Sequence, residues 1–150
     1  MRRRSLHGQR GGALVEFALG TLVLTPLLLG TFSFGLAMRD YNTLQTSVRN
    51  AARFASLQDY DSVTSTPSAG YLAKVRNFAV YGSLSGSSSP IVRNLSPSNV
   101  QVAVGMKAGV PHQVTVSISN FALVDFFRPI TLNGKPAATF PYMGRFKPPI

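Results

Sequence analysis

The chain has 150 residues, with 15 Lys or Arg against 5 Asp or Glu, a formal net charge of +10 and no cysteine. The lack of cysteine excludes a disulfide framework and a Cys-based metal site, but leaves the compartment open because exported proteins need not carry disulfides. Four arginines precede Gly12; from there on the balance is 11 basic to 5 acidic residues, scattered with no dense basic run interleaved with aromatics, so no nucleic acid partner is expected.

The amino-terminal part opens with Arg2, Arg3, Arg4 and Arg10 and passes into Gly11-Gly12-Ala13-Leu14-Val15-Glu16-Phe17. From Phe17 to Met38 there are 22 residues without a charge. As a helix they cover about 33 Å, enough for a hydrocarbon core of about 30 Å. Glu16 is the one charge in the apolar run. A charge at the bilayer centre costs roughly 2.5–3.5 kcal/mol or more, which makes such a residue a functional candidate in want of a partner. The plainer reading is a residue resting at the headgroup boundary. Pro26 interrupts the hydrogen-bond ladder near the middle of the span, and Thr21, Thr25 and Ser33 are candidates to satisfy the freed carbonyl. Gly20, Gly30 and Gly35 leave shallow places for the approach of another helix. The arginine excess before the span predicts a cytoplasmic amino terminus and an exported remainder. Two alternatives are a buried helix of a soluble protein, usually shorter than this, and a cleaved secretory signal. The signal wants an apolar core of about 7–15 residues and an Ala-x-Ala-like site, to which Gly35-Leu36-Ala37 is a weak match.

The helical pattern continues through Arg39–Leu57 without Gly or Pro. Leu44, Val48, Ala51, Ala52 and Ala55 form one apolar stripe, and Asn42, Thr46, Arg49 and Arg53 a polar one. One helix from about Ala13 to Leu57 is predicted, with a lipid-compatible first half and an amphipathic second half. The stripe covers the protein's own globular part, neighbouring copies, or both. Asp59 to Gly70 is a break with Pro67 and Gly70, and its two aspartates lack the further ligands of a calcium loop. A short helix follows over Tyr71–Tyr81, with Leu72, Val75 and Phe78 or Ala79 inward, and then a flexible Ser-rich connection to Pro90. Val100–Val104 and Gln113–Ser119 read as strands, the second with Val114, Val116 and Ile118 on one face. Lys107–His112 suits a hairpin with Pro111 outside the central pairing. A third strand is expected near Ala137–Met143, interrupted by Pro141, and Phe121–Phe127 as a short helix or irregular cover. The predicted fold class is α+β: a long amino-terminal helix, transmembrane then amphipathic, packed on a small antiparallel sheet.

Chemistry is sparse. His7 and His112 are the two histidines, no His/Cys/carboxylate spacing fits a metal, and no Gly-rich phosphate loop follows a strand. The serines have no evident base nearby, so no catalytic residue, cofactor or metal is assigned and an assembly role is expected instead of an enzymatic one.

The run Arg10-Gly11-Gly12-Ala13-Leu14-Val15-Glu16-Phe17-Ala18-Leu19 resembles the processing site of type IV pilin-like proteins. Together with Leu44–Ala55 it is similar to TadE-like minor pilins, or pseudopilins, of tight-adherence (Tad/Flp) pilus systems. The resemblance covers about residues 10–57; Val114-Thr-Val-Ser and Met143-Gly-Arg145 resemble the family only loosely. It implies a basic leader over residues 1–11, cleaved after Gly11 by a prepilin peptidase so that Gly12 becomes the first mature residue and Glu16 the fifth. It also implies a pilin helix over 12–38, an amphipathic extension over 39–57 and a small extracytoplasmic domain over 58–150. Glu16 and Phe17 would set assembly register. The implied partners are the peptidase, other pilin or pseudopilin subunits, the inner-membrane assembly platform and the lipid bilayer, with the chain in the bacterial inner membrane or in an adhesive surface pilus. The alternative is a single-span, N-in anchored binding protein that does not polymerise.

Overall fold

The structure is a computed structural model that describes residues 7–86, 88–123 and 128–147, with the backbone alone for 7–10. It begins with one helix, α1 (His7–Leu57), 51 residues long, with Pro26 inside it. That length corresponds to about 77 Å. α1 starts six residues before the expected Ala13, because nothing in the Gly11-Gly12 pair stops the helical ladder, and it ends at the expected Leu57. The second helix, α2 (Ala69–Tyr81), starts under a Ser68 cap whose hydroxyl accepts the Tyr71 N–H at 3.2 Å. It stops at Gly82, whose φ of 66° lets its N–H return to the Phe78 carbonyl at 3.0 Å.

The carboxy-terminal part is sheet. β1 (Val100–Lys107) and β2 (Val110–Ile118) form an antiparallel hairpin, and β5 (Ala137–Pro141) adds to the other side of β2. β3 (Phe121–Leu123) and β4 (Ile130–Leu132) make a separate two-stranded sheet. Thus Phe121–Leu123, expected as helix or irregular cover, is extended, with Phe121 and Leu123 buried; the remaining residues of that expectation, 124–127, lie outside the described residues. The β1–β2 turn is shorter than the expected six-residue connection. Ala108 and Gly109 alone make it, both with positive φ as a primed two-residue turn requires. Pro111 lies inside β2, opposite Met106, beside a register irregularity after Gly105. It is nonetheless clear of Gln113–Ser117, the stretch paired to both neighbours, where every residue brings an N–H.

The core lies between one face of this sheet, α2 and the second half of α1. Val104 faces Val114, Val102 faces Val116 and Val100 faces Ile118 across the hairpin, while Phe140 and Ala138 of β5 continue the same face. Against these pack Leu44, Val48, Ala51, Ala52 and Ala55, all essentially without exposure, so the predicted apolar stripe covers the chain's own sheet and α2. On α2 the inward residues are Tyr71, Val75, Ala79 and Val80; Leu72 is only half-buried, and Tyr71 takes the place assigned to it, one residue earlier on the helix.

The far end of α1 is closed by the chain's last described residues. A helix leaves its final carbonyls without partners, and these must be met from outside. Tyr71 Oη donates to Ala55 O at 2.6 Å, Met143 N to Ser56 O at 2.8 Å, and Tyr142 Oη to Gln58 O at 2.7 Å. Tyr60 N donates to Arg145 O and Lys147 N to Tyr60 O, at 2.9 and 2.8 Å. Gly144 fits because it lacks a Cβ, which would run into the Gln58 carbonyl oxygen and lie 2.6 Å from Tyr142 Oη.

Candidate functional site

The amino-terminal half of α1 departs from the pattern of a folded domain. Between Leu14 and Leu36 its large apolar side chains are exposed, Phe17 by 74% and Leu22 by 72%. The first buried residue of the described chain is Ala37. The most apolar 18-residue window of this helix has no buried residue, so it is not a core helix of this chain's own fold. By length and composition it is able to cross a membrane, and among the described residues one such helix is present.

Gly11, Gly12, Glu16 and Phe17 all lie on this bare stretch. Gly12 and Glu16 are four residues apart and share a helix face, one turn above the other. Added Cβ atoms at Gly11, Gly12, Gly20 or Gly35 would meet nothing within 4 Å, so these glycines are not required by packing within the chain. Helix side chains tilt toward the amino terminus, which aims Glu16 toward the Gly11–Gly12 junction. Farther along, Pro26 and Gly30 line a shallow apolar groove with Leu22, Val23, Leu27 and Thr31. Thr21 Oγ1 donates to Phe17 O at 2.8 Å and Thr31 Oγ1 to Leu27 O at 2.8 Å. Neither bond reaches the Leu22 carbonyl that Pro26 frees, so Thr21 does not make the expected repair.

A second feature was not anticipated from the residues: a cleft of about 560 Å³ where the bare helix meets the globular part. Leu29, Phe32, Ser33 and Leu36 line it from α1, and Ile91, Val92 and β3 from the domain, with Arg39, Asp40 and Arg93 also on its lining. The sequence signal for it is slight, because Arg93 and β3 come beside α1 only through tertiary folding.

Groups able to do chemistry stay apart. His112 is exposed on β2, and among the described residues no three His, Asp or Glu side chains gather as a metal site. Asp59, in the rejected calcium loop, pairs with Lys147 Nζ at 2.9 Å on the surface. The buried polar centre is a tyrosine cluster. Tyr60 and Tyr71 meet edge to face with ring centroids 5.4 Å apart, and Tyr60 and Tyr142 at 6.2 Å. Burial pushes all three hydroxyls above their ordinary titration range. The other phenols add to the shift at Tyr71, a hydrogen bond to Ser62 partly opposes it at Tyr60, and a backbone hydrogen bond partly opposes it at Tyr142. These hydroxyls donate to backbone carbonyls and so act as structural ties.

Residues 11–53 match the family model described as TadE-like protein. The matched stretch runs from Gly11 through the bare helix into the buried amphipathic half. No curated protein and no solved structure matches the chain.

Proposed function

We propose, from this TadE-like segment, that the chain is a minor pilin or pseudopilin: a non-enzymatic subunit of a Tad-type pilus, anchored in the inner membrane by α1 with its amino terminus cytoplasmic. The observation that carries the reading is the coincidence of the family match with a helix whose apolar surface is unoccupied within its own chain. Such a surface suits lipid before assembly and neighbouring helices after it. A prepilin peptidase removes residues 1–11, freeing the Gly12 amine. In a helix bundle that amine pairs with Glu16 of an adjacent subunit. Opposite charges attract strongly in a low dielectric, but desolvation offsets much of the gain, so the pair sets register more than it adds stability. Phe17, beside it on the exposed surface, packs on the neighbouring helix. The other subunits and the inner-membrane assembly platform are the partners, and the domain over 58–150 is displayed outside.

Amino-terminal sequencing after co-expression with a prepilin peptidase tests this reading. The expected first residue is Gly12. A start at Met1 or Arg2 overturns it in favour of an anchored binding protein that does not polymerise, and a start at Met38 in favour of a secreted one.

A further inference from the structure

The cleft between the bare part of α1 and the globular domain faces two environments. Its floor, Leu29, Phe32 and Leu36, belongs to the uncharged stretch that lies within the hydrocarbon layer when α1 spans a membrane. Phe32 is 68% exposed and Leu36 44%, so the domain leaves both open. Arg39 follows Leu36 by three residues, about 4.5 Å along the axis, just past the end of that stretch. Arg93 approaches from the domain side. Among the described residues neither guanidinium is in an ion pair. Asp40 also lines the cleft and opposes an anion there.

A groove with an apolar floor continuous with the lipid-facing helix, closed at its aqueous end by two arginines, matches an anionic phospholipid. Its acyl chain lies along Leu29–Leu36 and its phosphate meets Arg39 and Arg93, the fork-shaped donors suited to that group. The volume of about 560 Å³ is within the range of ligand-sized sites. We propose that this cleft holds an anionic phospholipid of the leaflet on the domain side, seating the globular part against the membrane. The proposal rests on the membrane-anchored part of the reading above, but not on cleavage or polymerisation.

The test uses the full chain in nanodiscs of phosphatidylcholine with a minor share of phosphatidylglycerol, with co-purified lipid read by native mass spectrometry. Each arginine beside an anionic headgroup is worth about fivefold in binding, and Asp40 offsets part of this, so an enrichment of phosphatidylglycerol of about tenfold is expected. It should be lost in the Arg39→Gln/Arg93→Gln double variant, raised in Asp40→Asn, and unchanged in Arg49→Gln/Arg53→Gln, which alters exposed charge on the same helix outside the cleft. Equal enrichment in the unaltered chain and all three variants, or none in the unaltered chain, overturns the proposal. Failure of the chain to enter nanodiscs at all overturns the anchoring on which it rests, a distinct result.

Discussion

At the scale of single residues, Glu16 and the buried tyrosines contrast in kind. Glu16 lies exposed on α1, and the fold of its own chain places no demand on it. Glu16→Ala is therefore expected to leave membrane insertion and domain stability unchanged while reducing recovery in sheared pili, scored by immunoblot of membrane and filament fractions. Normal incorporation of the variant would sink the register role. Tyr60, Tyr71 and Tyr142 are bound tightly into the domain, and burial raises their titration above the ordinary value of 10.0. An unfolded chain gives up these protons near its ordinary value, whereas the folded one retains them to higher pH. Stability from this source is thus complete below about pH 10 and falls as the pH climbs beyond it. Thermal melts of the full chain in micelles should show a midpoint flat up to about pH 9 and dropping by pH 11, with a shallower drop for Tyr71→Phe.

At the scale of elements, the joint between the end of α1 and the carboxy-terminal segment is the most demanding. A methyl group at position 144 meets the backbone carbonyl of Gln58, which has little room to retreat. Gly144→Ala should lower stability by about 1–3 kcal/mol, the range for overpacked sites, seen as a lower denaturation midpoint in micelles. This joint also marks where the sequence stops being legible. The apolar stripe from Leu44 to Ala55 was readable because a 3.6-residue period reports burial whatever lies opposite. Val114, Val116 and Ile118 were readable for the same reason at period two. The β3–β4 pair has three residues per strand, too few for any period to register, and its Phe121-Ala-Leu123 reads equally well as helix. The role of Tyr142–Lys147 could not be foreseen either, since its bonds to Ser56, Gln58 and Tyr60 join residues more than eighty positions apart. On the candidate site, the position of Glu16 relative to Gly11 and Gly12 was local and therefore visible. The cleft between α1 and β3 depends on tertiary approach and was not.

At the scale of the whole molecule, a bare apolar rod joined to a packed domain suits the chain to two solvents. In the proposed orientation the domain is exported and the leader stays inside. The absence of native cysteine makes this directly measurable. In intact spheroplasts of a host without the peptidase, Ser89→Cys, on an exposed loop, should react with a membrane-impermeant maleimide, while Ser5→Cys should react only after lysis. The reverse pattern would invert the topology. Export also has an order in time. In this orientation α1 enters the bilayer first, yet the Ser56 and Gln58 carbonyls at its end are met by Met143 and Tyr142, and the central strand β2 gains its second neighbour only with β5. A nascent chain halted before Ala137 would therefore be tethered but unfinished, with an open strand edge and an unsealed helix end. The carboxy-terminal clasp is thus the last part of the domain to be made: only a chain that extends through Lys147 seals the end of α1 and covers the second edge of β2.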